Sequence, residues 1–105
     1  MAVKVLVTRQ FKGDKMRDAY ALVTQLRSKA ILRHGHISGE TLVSEDTLNR
    51  VVVVSTWASR KDWEDWRATP MRRDFMRKIG ECLASPEQVE VFQIGEKDPE
   101  WVHMA

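Results

Sequence analysis

The sequence predicts an α+β domain: one antiparallel sheet with helices packed on a single face. Three observations carry this. Val51–Val54 is a run of four valines, and consecutive β-branched residues read as a strand buried on both faces. Met16, Ala19, Leu22, Val23, Leu26 and Ala30 recur at spacings of three and four, the period of a helix with one apolar face. Thr69-Pro70 and Ser59 stand where helix caps belong, so the segment after the valines is two short helices in succession.

Taken in order, Val3–Arg9 alternates Val3, Val5 and Val7 with Lys4, Leu6 and Thr8, which predicts the first strand. Phe11–Asp14 breaks it, with Asp14 as the expected N-cap of a helix over Met16–Arg33. Arg33-His34-Gly35 closes that helix, with cations at its negative end and a glycine for the left-handed cap. His36–Ser44 reads as the second strand, with Gly39 at its middle, and Arg50–Trp57 as the third. Ser59 with Asp62 forms an acidic variant of the capping box, and Trp63 and Trp66, three apart, share a helix face. After Thr69-Pro70 a stripe of Met71, Phe75, Ile79 and Leu83 predicts a helix running to Ser85-Pro86, and Gln88–Ile94 is the fourth strand. The order β-α-β-β-α-β is the ferredoxin-like arrangement, placed in a domain over residues 1–95 with a C-terminal tail over 96–105 that carries Trp101.

The bulk properties exclude several classes. A net charge of +2, without basic residues clustered among stacking aromatics, gives no nucleic-acid signature. No apolar run approaches the roughly 18 residues of a membrane helix. The first residues enter a strand rather than a signal peptide, and the single cysteine, Cys82, forms no intrachain disulfide. A small cytoplasmic protein is the expectation. Cys82 reads as a small core residue, Met71 and Met76 as core gap-fillers, and Arg72, Arg73, Arg77 and Lys78 as a solvated helix surface. His34 and His36 lack a third ligand nearby, so no metal site is expected. One layer of helices covers one sheet face, while Val51–Val54 and Leu6 ask for cover on the other. That unmet demand predicts a homodimer with sheets face to face.

Ser55-Thr56-Trp57-Ala58-Ser59, Trp63-Glu64-Asp65-Trp66 and Met71-Arg72-Arg73-Asp74-Phe75 resemble the antibiotic biosynthesis monooxygenase family of dimeric α+β barrels, and the resemblance runs from Val3 to about Gly95. The haem-degrading branch of that family needs a histidine on the last helix and an asparagine on the first strand. Met76 and Thr8 stand at those positions here, so that site is not expected. The cofactor-free branch implies a small aromatic, quinol or anthrone-like substrate that reacts with dioxygen in an apolar cavity, with no organic or metal cofactor. On this reading His36 and Trp66 are the candidate catalytic residues, His36 as the group titrating near neutrality and Trp66 as pocket ring and indole donor. Thr8, Arg9, Arg50, Phe75 and Met76 are the candidate substrate-binding residues, with Arg9 or Arg50 stabilising an enolate or phenolate. Trp57 and Trp63 are expected to anchor the core and interface. The alternative is a non-catalytic binding or regulatory module that uses the same cavity.

Overall fold

The computed structural model describes residues 1–95. Four strands and three helices follow in the predicted order: β1 (Val3–Gln10), α1 (Met16–Ala30), β2 (His36–Val43), β3 (Arg50–Trp57), α2 (Arg60–Arg67), α3 (Pro70–Gly80) and β4 (Gln88–Gln93). The strands form one antiparallel sheet in the order β2-β3-β1-β4, the ferredoxin-like topology. The Trp101 tail lies outside the described residues.

Strand alternation separates two faces. Val3, Val5, Val7 and Arg9 of β1 lie beside Trp57, Ser55, Val53 and Val51 of β3, and this is the face the helices cover. Val5, Val51 and Trp57 are almost wholly removed from solvent there. The opposite face carries Leu6, Thr8, Val52 and Val54 at its centre, with Leu42 of β2 and Phe92 of β4 flanking them and roughly half exposed. The valine run is thus fully buried only at Val51; its other members are half-buried in the single chain.

Local signals explain most element ends. Ser59 Oγ accepts from the Asp62 N–H at 3.1 Å, and Thr69 Oγ1 accepts from the Arg72 N–H at 3.2 Å with Pro70 opening α3. Gly35 has φ +84, the left-handed conformation expected of it.

Five expectations are corrected. Asp14 does not cap α1: it sits in a single 3-10 turn, Gly13–Lys15, and Lys15 occupies the N-cap without a side-chain bond. The Asp62 carboxylate accepts from the Ser59 hydroxyl at 2.9 Å rather than closing on the Ser59 N–H. α3 ends at Gly80, before Ser85-Pro86, and Met71 is 49% exposed, because position two of the helix faces outward. Arg72 is not on a solvated surface: it is 4% exposed and faces the core.

Candidate functional site

Between the helix-covered face of the sheet and the helices lies a cavity of ≈ 40 Å³, partly open to solvent. It holds a few waters at roughly 10–15 Å³ each. Its apolar walls are Val7 and Val53 from the sheet and Val23, Leu26 and Ala30 from α1. Trp57, Trp63 and Trp66 form one side.

The tryptophans are placed by the turn after β3. Trp57 ends the strand, the Ser59 cap starts α2, and Trp63 and Trp66 fall on the inward side of that helix, each 3% exposed. Trp57 and Trp63 centroids are 6.0 Å apart and tilted by 59°. His36 meets Trp57 edge-on at 5.1 Å, and Arg72 lies 5.1 Å from the Trp63 ring centre. A row therefore runs from an imidazole through two indoles to a guanidinium.

Polar groups gather at both ends of this row. At the β2 end, Gly39 lies beside the imidazole: a Cβ there would stand 3.5 Å from His36 Nε2, an ordinary contact, and a tighter 3.3 Å from the Val54 carbonyl oxygen. Arg27 donates to the Gly39 carbonyl and, at 3.4 Å, to Thr41 Oγ1. Burial, and then the charge of Arg27, lower the His36 pKa, so its imidazole is neutral at pH 7. At the other end Arg9 is 2% exposed, donates to Glu87 Oε2 at 2.9 Å and reaches Met76 Sδ at 3.5 Å. Burial lowers its pKa despite that carboxylate. Arg72 is lowered further, to about 10, by burial first, with Arg9 and Arg67 adding to the effect and Glu87 opposing it. Arg9, Arg27, His36 and Arg72 all line the wall, and among the described residues no carboxylate does.

The structure brings His36, Trp66 and Arg9 to one cavity and leaves the other candidates outside its wall. Met76 meets the Arg9 guanidinium through its Sδ, and Phe75 packs half-buried against the core. Thr8 lies on the opposite sheet face, in a shallow depression with Leu6, Gln88 and Glu90, because residues one apart in a strand point to opposite sides. Arg50 is on that face too, exposed, donating to Gln10 Oε1 at 3.3 Å. His34 is 95% exposed and stands 3.9 Å from Asp62, and no cluster of three metal-ligating side chains occurs among the described residues.

A model of the antibiotic biosynthesis monooxygenase family matches residues 2–78. The chain belongs to this family. Solved structures match it in fold at low identity. A protein of Mycobacterium tuberculosis superposes with a TM-score of 0.84 at 20% identity, covering 94% of this chain and 100% of its own. A conserved protein of Methanosarcina mazei Go1 gives 0.84 at 14% identity, over 89% and 92%. SnoaB, a cofactor-independent oxygenase from Streptomyces nogalater, gives 0.81 at 13% identity, over 94% and 98%. A search among curated proteins found no match.

Sequence reasoning missed three cavity residues of this family member: Arg27, Arg72 and Trp63. Arg72 was hidden in a run of basic residues, and only its position at the third residue of a capped helix distinguishes it from Arg73. Trp63 reads as a core anchor and is one, yet its indole N–H is buried without a hydrogen-bond partner, as is Arg27 Nε. Trp57, by contrast, donates to Ser55 Oγ at 3.0 Å.

Proposed function

We propose that this chain is a cofactor-independent monooxygenase acting on a small aromatic, quinol or anthrone-like molecule held in the tryptophan-walled cavity. One observation carries the reading: a neutral, half-buried His36 lines the same apolar cavity as the buried donors. A base of lowered pKa is unprotonated at neutral pH and available to take a proton. Cationic and N–H groups in a low-dielectric wall then stabilise the enolate or phenolate that proton loss creates. The carbanionic ring gives electrons to dioxygen. For an anthrone-type CH₂, two hydrogens leave, one oxygen atom becomes the new carbonyl, and the other departs as water. Trp66 supplies ring contact beside the reacting carbon.

A volume of ≈ 40 Å³ is well below the about 150 Å³ cavity that holds benzene, so a ring enters from the mouth with displacement of wall side chains. The apolar centre of the opposite face, Leu6, Val52 and Val54 flanked by Leu42 and Phe92, supports a homodimer joined sheet to sheet. The deciding experiment is turnover under oxygen-18 gas with mass spectrometry of the product. Incorporation of one labelled atom, dependent on intact protein, is expected. Binding of the same molecules with no incorporation would leave a binding module instead.

A further inference from the structure

Packing of α3 turns Arg72 inward without giving its charge a partner. The residue is 4% exposed, and among the described residues its guanidinium makes no hydrogen bond or ion pair. The guanidinium lies over the Trp63 ring at 5.1 Å. The nearby carboxylate, Glu87, is bonded to Arg9. Arg72 also sits in the first turn of α3, where the helix dipole disfavours a cation, and no acidic residue shares that turn. A charge that keeps only a sliver of solvent contact and has no counter-ion is costly, and a hydrophobic residue of equal length would be the stable choice at this position.

A second observation points the same way. Trp63 Nε1, in the ring against which Arg72 rests, is buried without an acceptor, and so is Arg27 Nε in the same wall. The wall's own acceptors, the Gly39 carbonyl and Ser55 Oγ, are already engaged by Arg27 and Trp57, so Trp63 Nε1 and the Arg72 guanidinium are left without one among the described residues. The cavity's remaining walls, Val7, Val23, Leu26 and Val53, are apolar. A ligand complementary to this has an apolar body and one anionic end.

Deepening the functional reading of this cavity, on which it rests, we propose that the site takes an aromatic carboxylate whose carboxylate is held by Arg72. The planar fork of a guanidinium matches a carboxylate through two parallel N–H bonds. A phosphate dianion fits less well, since the second buried guanidinium is already engaged by Glu87.

The test is titration of isotope-labelled full-length protein with benzoate, its neutral isostere benzamide, and inorganic phosphate, following the indole N–H resonances. Benzoate should bind about tenfold or more tighter than benzamide, the worth of one charge-assisted contact. Arg72→Met should abolish that preference and Arg72→Lys restore part of it. Equal binding of benzoate and benzamide would overturn the proposal. So would phosphate binding as well as benzoate, or a preference that survives Arg72→Met. Should Arg72→Met fail to fold, the wild-type comparison and Arg72→Lys decide. Carboxylate preference without oxygen incorporation would remove the catalytic reading alone; incorporation on neutral substrates without that preference would remove this proposal alone.

Discussion

Replacing Glu87 with leucine removes the carboxylate bonded to the buried Arg9 cation. Arg9 is 2% exposed and its partner 19%, with Nε and Oε2 at 2.9 Å. Breaking a buried pair by deleting one partner costs about 3–5 kcal/mol, because the other charge is left uncompensated. The partial exposure of Glu87 lets water reach the site and places this case near the lower bound, at about 3 kcal/mol. For a domain of this size 1 kcal/mol moves Tm by roughly 4–8 °C, so a fall of about 12–24 °C is expected. Burial lowers the Arg9 pKa even with Glu87 present, which means desolvation outweighs the attraction. The double variant Arg9→Met with Glu87→Leu should therefore recover to within about 1 kcal/mol of the parent. Urea denaturation of the parent, both single variants and the double gives the coupling directly. A Glu87→Leu loss below about 0.5 kcal/mol, the size of a surface substitution, would refute the account of Arg9 as a buried charge. A double variant as unstable as the sum of its parts would refute it as well.

Three further outcomes follow from the same structure. Gly35→Ala should cost about 2–4 kcal/mol, since φ +84 is strained for alanine and its Cβ would fall on the Asp62 side chain; chemical denaturation reads this. His36 has a lowered pKa, so below its ordinary 6.5 the unfolded chain binds more protons than the folded one. Stability is therefore lost as pH falls from about 6.5 through the folded-state pKa, and His36→Gln should flatten that limb in denaturation curves taken across pH. Val54→Lys, at the centre of the uncovered sheet face opposite Leu6, should shift the proposed dimer towards monomer in sedimentation velocity.

The fold was legible because its signals are local and redundant. Alternation in β1, the periodic face of α1, the Ser59 and Thr69 caps and the left-handed Gly35 each mark an element independently. The site was legible in part. Trp66 could be named because the family resemblance places a pocket aromatic there, and His36 and Arg9 because a titratable and a cationic side chain stand near strand ends. Thr8 and Arg50 lie on the sheet face away from the cavity; alternation already set Thr8 with Leu6 there, and only the family alignment drew it to the site. Arg72 was illegible for a different reason: a buried arginine contradicts the expectation that basic runs are solvated, and only the packing of α3 against α1 and Trp63 turns it inward. Residues that violate such expectations concentrate at functional sites.

Oxygen uptake with a panel of quinols and anthrones, corrected for autoxidation, tests the central claim most directly. The parent should consume oxygen in a protein-dependent manner, His36→Ala and Trp66→Phe should lower the rate at least about tenfold, within the range removed with a general base or a positioning contact, and Thr8→Ala, on the other sheet face, should leave it unchanged. Uptake that survives both cavity substitutions, or falls equally in Thr8→Ala, would contradict the placement of the chemistry beside His36 and Trp66.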